Sequence, residues 1–410
     1  MAVYLIATLD TKGDEAAFAR DVLRSRGLVV NVVDVGSLGP PRFTPETSRE
    51  DVFRAAGAVA GGFRDRGEAV AAAAGGVAAI VAERFRSGDL QGVMGLGGSA
   101  GTVIGTSAMR ALPFGTPKVM VSTLASGQTR PYVGGSDILM LYPVADLAGL
   151  NRLTRSALAN AANAMAGMVE GIGTIPKVVA DRPLLAATMF GVTTPCVDRA
   201  RKNLDAAGYE VLVFHATGVG GESMEGLIRD GVISGVLDLT TTELADELVG
   251  GILTAGPKRL EAAVRAKVPQ VVSVGALDMV NFGPINTVPD RFSGRLFHVH
   301  NPSVTLMRTT PEENATLGAW MARVLSQAVS PVVVLIPLRG VSALDAPGLP
   351  FFDLEADRAL FGAIEEGLEN HSQVRLEMRD EHINDPAFGD AAANALSALI
   401  ADVRRSKQKR

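Results

Sequence analysis

The stretch from Val93 to Thr102 sets the terms for the whole chain. Val93, Met94 and Leu96 form a short apolar run that meets Gly97, Gly98, Ser99, Gly101 and Thr102, and a helix-like segment follows through Ala108 and Arg110. A strand that turns through glycine into a helix leaves backbone N–H groups free at the helix N-terminus, where the helix dipole adds partial positive charge. Phosphate or carboxylate is the expected guest. No Lys follows the last glycine, so this is not a Walker A loop, and it is not a clean GxGxxG. The competing reading is a tight strand-to-helix connection in which glycine only frees the backbone.

Such a turn belongs to layered α/β structure, and the composition agrees. The chain has 410 residues, enough for two domains, and is 47% apolar with 5% aromatic residues and 45 glycines. Small side chains suit tightly packed α/β layers better than an all-β sandwich. Net charge is -5, and the only basic block is the short Arg404–Arg410 tail. A solvated end is the expected state of that tail, so the chain lacks an electrostatic footprint for nucleic acid. A lone Cys196 excludes an internal disulfide and a cysteine zinc cluster, and is compatible with a cytoplasmic setting. The Met1–Thr8 start reads as a first strand, not a signal peptide. No apolar run approaches the roughly 20 residues of a membrane helix, so no membrane partner is expected.

Strands and helices alternate along the chain. Val3–Ala7 is a strand, 8–13 a polar turn, Asp14–Arg26 a helix and Leu28–Val33 a second strand ending at Asp34. An acidic residue there matches the ribose-binding position of dinucleotide folds, although the first turn lacks their glycine fingerprint. Strands follow at Gln91–Gly95, Lys118–Ser122 and Ile138–Tyr142, and Leu150–Val169 is a helix rich in small residues, suited to a close helix or subunit contact. A linker spans 175–183, after which the opening pattern returns: Leu184–Thr188 resembles Leu5–Thr8, and Glu210–Phe214 matches the second strand. The pattern predicts an α/β chain of two Rossmann-like, doubly wound parallel-sheet subdomains, 1–180 and 181–410, the last helix packing back on the first. A coincidence of two similar openings is the alternative.

Ligands of open parallel sheets lie beyond the carboxyl ends of the strands, and polar motifs gather at those places. In the first half Thr8, Thr11, Ser99, Thr102, Thr123 and Ser126 offer hydrogen bonds beside Gly97, Gly98 and Gly101, and Lys12 offers the cation that the glycine turn lacks. Asp10 or Asp137 is placed to hold Mg²⁺ on phosphates; a cap on the first helix is the other reading of Asp10 and Thr11. In the second half the candidates for chemistry are His215, Asp238, Asp278, His298, His300 and Arg308, with Glu225 and Glu243 as carboxylates on separate loops. His298 and His300 flank one residue, so an extended backbone points both to one side, as a metal pair or as a base beside a substrate hydrogen bond. Ordinary buried histidines are the alternative. Cys196 opens a helix whose dipole would lower its thiol pKa, unless it is simply a small packed residue.

Taken together, these motifs resemble a widespread bacterial and plant family, that of the tomato mosaic virus resistance protein. The matching stretches include Thr8–Gly13, Gly95–Thr102, Ser122–Gly127, His215–Gly218, Gly235–Glu243, Gly275–Gly283, His300–Pro302, Met307–Thr310, Pro350–Asp353 and His382–Asp385. They run through essentially the whole chain in order. The resemblance implies two Rossmann-like subdomains, an ATP-binding N-terminal half and a homodimer. The expectation is an ATP-binding protein in which Mg-ATP sits on the first half. A small anionic substrate would lie between the halves, undergoing ATP-dependent activation or phosphoryl transfer. Two alternatives stand beside it: metal-assisted hydrolysis or C–C cleavage by His298 and His300, and nucleotide-dependent binding without turnover.

Overall fold

The computed structural model describes residues 1–172 and 182–408, with side chains described to residue 405. The proposed linker lies mostly outside them. The chain divides into two compact units, Met1–Val179 and Ala180–Arg410.

The first unit runs β1 (Ala2–Ala7), α1 (Leu9–Ser25), β2 (Val30–Asp34), α2 (Arg49–Ala55), α3 (Arg66–Arg86), β3 (Leu90–Gly97), α4 (Ser99–Arg110), β4 (Lys118–Ser122), α5 (Arg130–Val133), β5 (Leu139–Leu141) and α6 (Arg152–Glu170). The strands form one parallel sheet in the order β2-β1-β3-β4-β5. Strand β1 shows why both faces are covered. Val3, Leu5 and Ala7 point into one core with α1 and α6, while Tyr4 and Ile6 point into another with α2, α3 and α4. Period-2 alternation of apolar residues on both sides is what a sheet buried on two faces requires. The small residues of α6 are used inside this unit, where Ala161 and Ala162 are buried in the same core as Leu9, Ala16 and Ala19 of α1.

The second unit continues with β6 (Leu184–Met189), α7 (Thr194–Ala206), β7 (Glu210–His215), α8 (Val219–Arg229), β8 (Gly235–Thr240), α9 (Glu243–Val249), α10 (Glu261–Ala266), β9 (Gln270–Gly275), β10 (Met279–Phe282), β11 (Phe297–Asn301), β12 (Val304–Arg308), α11 (Pro311–Leu325), β13 (Val332–Pro337), α12 (Leu354–Leu368), β14 (Val374–Arg379) and α13 (Pro386–Gln408). Its six-stranded parallel sheet has the order β14-β13-β9-β8-β6-β7. Counted from β6, that repeats the first unit's 2-1-3-4-5 arrangement with one strand added. The final helix α13 packs on α7, the first helix of its own unit, with Phe388, Ala392 and Leu396 buried beside Cys196 and Val197.

Two features depart from the sequence reading. The polar turn after β1 is the start of α1, which kinks at Lys12 (φ -128°, ψ 24°). Leu9 N–H is capped from afar by Asp34 Oδ1 at 3.0 Å, a partner no local pattern announces. Gly275–Asp290 reads as loop-rich and Leu296–His298 as a short extended piece, whereas β10, β12 and β11 form an antiparallel sheet there. Among the described residues no helix is long and apolar enough to cross a membrane.

Candidate functional site

In the first unit the chain reverses its direction of travel across the sheet between β1 and β3, the place where a 2-1-3-4-5 sheet opens a crevice for ligands. Ile6 is level with Gly95, so Thr8 and Gly97 leave the sheet side by side. The glycine turn sits at that point, and its glycines have different jobs. A Cβ on Gly97 would lie 2.9 Å from Gly101 Cα, and one on Gly101 would lie 3.1 Å from Leu96 O. Those two glycines let α4 start tight against β3. Gly98 is under no such demand. Its backbone is extended (φ -80°, ψ -151°), and a Cβ would meet only Thr123 Oγ1, at 3.7 Å. It is the N-cap of α4, yet the helix has no side-chain cap and no acid in its first turn. The amides of Ser99, Ala100 and Gly101 find no acceptor among the described residues.

The other first-unit candidates distribute unevenly. Thr123 is half-buried and Ser126 exposed, both after β4. Thr102 Oγ1 is committed to Gly98 O at 2.8 Å and Ser122 Oγ at 2.6 Å, so it braces the turn. Thr8 and Thr11 bond to each other through their hydroxyls at 2.7 Å. Lys12 Nζ donates to Leu147 O, leaving two of its three donors. Asp10 Oδ2 accepts the Leu38 and Gly39 amides at 2.8 and 3.2 Å with Arg49 Nη1 at 3.9 Å, and its Oδ1 has no hydrogen-bond partner among the described residues. Asp34, the ribose-position acid, is spent on Leu9 N, Gly36 N and Arg49 Nε. Asp137 is a correction. It precedes β5 and so lies at the amino edge of the parallel sheet, where it pairs with the fully buried Lys118 at 2.5 Å and caps Gly115 N at 2.8 Å. A carboxylate neutralising a buried ammonium is not a magnesium ligand.

In the second unit the carboxylates do converge, in two separate buried clusters. Arg259, fully buried, binds Asp238 through Nη1 and Nη2 (2.5 and 2.7 Å) and Glu243 through Nε (2.7 Å), with Glu225 Oε1 at 3.5 Å. Burial pushes Glu225 and Glu243 up, while Arg259 pulls against it. Burial also works against the guanidinium, but its three carboxylates outweigh that and hold it charged. Thr240 and Glu243 have the spacing of a capping box, yet the helix begins at Glu243 itself, and Thr242 before it makes no side-chain cap. The Glu243 carboxylate turns instead to the glycine turn before α8, accepting Gly218 N and Gly221 N at 2.7 and 3.1 Å.

The second cluster surrounds Arg308 at the end of β12. Its guanidinium donates to Phe351 O (2.8 Å), Thr309 Oγ1 (3.0 Å) and Asp357 Oδ1 (2.9 Å), with Asp345 Oδ1 at 3.9 Å. Asp278 accepts from Ser342 Oγ at 2.7 Å and feels the Arg308 charge. Burial raises Asp278 to about 7 and Asp357 to about 8, and raises Asp345 as well. The folded chain therefore holds protons on these groups that the unfolded chain gives up near pH 4. Their contribution is complete in acid and lost as pH rises through 7 to 8. We expect unfolding free energy to fall from about pH 4 to about pH 8 and to level off above that, by up to about 1.4 kcal/mol per pH unit for each such carboxyl. Urea titrations across that range measure it.

The remaining candidates stand apart. His215 is exposed at the end of β7, and Asp238 and Asp278 belong to different clusters. His298 is half-buried with its ring 6.2 Å from that of Phe351, and His300 is exposed. Val299 pairs with Thr305 and Asn301 with Val304, so His300 falls in a bulge that breaks the alternation expected to align the two rings. Among the described residues no group of three or more His, Cys, Asp or Glu is disposed to hold a metal. Cys196 is packed in the core, and burial pushes its thiol up to about 12, overriding the helix dipole. Sequence reasoning missed Arg259, Asp345 and Asp357. The available signal was indirect: Glu225, Asp238 and Glu243 beside apolar runs need a cation, and Arg259 is in their half.

Comparison with known proteins fits this two-unit layout. Residues 1–173 match the N-terminal domain, and 182–400 the C-terminal domain, of an uncharacterised protein family, UPF0261. A UPF0261 protein of Clostridium tetani is 49% identical over 97% of this chain and 98% of its own length. One from Rhizobium meliloti is 48% identical over 96% and 98%. The tomato ToMV resistance protein Tm-1(GCR237) is 42% identical over 96% of this chain, which spans 55% of that longer protein. On sequence and on domain layout, the chain belongs to the UPF0261 family.

Proposed function

We propose that the chain binds Mg-ATP at the β3–α4 turn of its first unit and uses it in ATP-dependent activation of, or phosphoryl transfer to, a small anionic substrate. Gly98 carries this reading. It is a glycine that neither backbone angle nor packing requires, at the uncapped N-terminus of a helix, at the switch point of the sheet. A ligand that must approach the backbone closely accounts for the missing side chain. The Ser99, Ala100 and Gly101 amides would hold phosphate oxygens, and the side chains of Thr123 and Ser126 and the spare donors of Lys12 lie at the same carboxyl edge. Magnesium would arrive largely on the phosphates and its own waters. Asp10, with one unpaired oxygen, is the carboxylate this edge offers it.

The test is calorimetric titration of Mg-ATP into the wild type and Gly98→Arg, whose Cβ fits but whose bulk covers the amides. We expect affinity to fall at least about tenfold, a loss of about 1.4 kcal/mol. Equal affinity in both removes the turn from the site.

Nucleotide-dependent binding without turnover is the second reading, favoured by one observation: Asp238, Asp278 and Arg308 are buried and engaged within their own clusters. Phosphate release at saturating ATP separates the two. Stoichiometric binding with no release selects the second.

A further inference from the structure

Between β13 and α12 the segment 340–353 crosses the carboxyl edge of the second sheet. Val341 O accepts from Ala276 N, just beyond β9, at 3.0 Å, and Ala343 N donates to Val192 O, just beyond β6, at 2.9 Å. Phe351 is fully buried among Val192, Ala276, Met279 and Leu306. The segment therefore lies over the region where a parallel sheet of this kind opens for ligands.

What holds it down is a set of charges that does not balance. Arg308 supplies one positive charge to Asp278, Asp345 and Asp357, which are all buried. Each carboxyl reports on the segment. Asp278 Oδ2 accepts from Ser342 Oγ at 2.7 Å. Asp345 is in the segment, with Oδ2 accepting from Val341 N at 2.8 Å. Asp357 opens α12 directly after it. Arg308 Nε holds Phe351 O at 2.8 Å. Among the described residues Asp278 Oδ1 and Asp345 Oδ1 are enclosed with no donor in reach, which an ionised oxygen tolerates poorly, and Asp345 and Asp357 are close enough to share a hydrogen bond once one of them is protonated. Two other titratable or charged groups face the cluster, and a positive charge on one of them, His382, would lower the Asp345 pKa. His382, beyond β14, places Nε2 on Ser342 O at 2.9 Å while its Nδ1 accepts from Asn384 N. Arg295 is paired with Glu313, although its Nη2 also reaches Arg308 O.

We propose that segment 340–353 is a strap over the carboxyl edge of the second sheet, closed when Asp278, Asp345 and Asp357 together hold two protons around Arg308 and released when they lose them. With two protons the cluster is neutral. Without them two net negative charges sit in a buried space. Asp345 relieves that repulsion at the least structural cost, because it rides on the strap, whereas Asp278 is fixed beside β9 and Asp357 on α12. Burial places the release near neutral to mildly alkaline pH, since Asp278 is held at about 7 and Asp357 at about 8. Opening would expose Asp278 and Arg308. This device concerns the second unit and stands whether or not ATP binds the first.

Hydrogen–deuterium exchange read by mass spectrometry tests it, with each amide scaled to its intrinsic rate at that pH. In the wild type, peptides covering 341–352 should lose about tenfold in protection between about pH 6 and about pH 9, while β8 and β9 keep theirs. Asp345→Asn keeps a neutral side chain at every pH and should shrink the change to about threefold or less. Asp357→Asn serves if that variant does not fold. Unchanged strap protection in the wild type overturns the proposal. So does loss of protection by strap and β9 together, and so does an undiminished pH effect in a folded Asn variant.

Discussion

Arg259→Met should destabilise the second unit by about 3–5 kcal/mol at pH 8, the cost of removing one partner from a buried ion cluster. Methionine follows the arginine stem as far as Nε, so the substitution removes the rest of the guanidinium with its charge while keeping the apolar stem packed. Asp238, Glu243 and Glu225 would be left enclosed with no cation within reach. Thr188 Oγ1 on Asp238, the Gly218 and Gly221 amides on Glu243 and the Leu260 and Ala262 amides on Glu225 are all that would remain. Such carboxylates escape by taking protons. The variant should therefore recover stability as pH falls from about 8 to about 5, and more steeply than the wild type does. Urea unfolding of both proteins at several pH values measures the gap. A constant gap across pH would mean that lost packing, not stranded charge, is what the substitution costs.

Gly98→Asp should abolish measurable ATP binding while slightly raising the thermal midpoint. Gly98 already has the extended backbone of an N-cap, and Asp outranks Gly there by a few tenths of a kcal/mol. A carboxylate at this end also complements the helix dipole. The same carboxylate would take the amides of the first turn and repel phosphate, so we expect affinity to fall by about 100-fold or more, about 2.7 kcal/mol. Most substitutions that lose a ligand also lose stability. Opposite signs from one side chain would identify the amides as the ligand's partners. Differential scanning fluorimetry and titration calorimetry on one preparation read both. Unaltered binding with a raised midpoint would leave α4 capped and the ligand elsewhere.

The parallel sheets were legible because their strands are apolar runs ending in glycine or polar turns, as at Lys118–Ser122, where the bounds agree to the residue. The antiparallel β10-β12-β11 sheet was not, because Asn281 interrupts β10. Asn281 is tolerated in a buried strand only because its Nδ2 reaches Asp246 Oδ2 at 2.6 Å, a partner 35 positions earlier. The start of α1 was hidden for the same kind of reason, since Asp34 caps it from the next strand. The glycine turn could be located from sequence, but the separate duties of Gly97, Gly98 and Gly101 could not, since they depend on how closely α4 approaches β3. Asp238, Asp278 and Arg308 were singled out as candidates for chemistry, and the fold buries all three in ion clusters whose other members the sequence did not show. Arg259, Asp345 and Asp357 belong to no motif, and only the folded chain brings them inward.

The Glu243 carboxylate on the Gly218 and Gly221 amides gives the two halves opposite relations to their surroundings. The second unit is self-ligated: the anion its glycine turn attracts is part of its own chain, present at a fixed effective concentration and unable to diffuse away. Glu243 thus occupies two amides of that turn with a charge of the chain's own. The first unit's glycine turn follows β3, the counterpart of β8 and not of β7, and the amides that open α4 meet no side-chain cap among the described residues; under the proposed function its stability would rise with nucleotide concentration. Two sheets of one strand order thus carry their glycine turns at different strands, one satisfied from within the chain and the other the place of the proposed ligand.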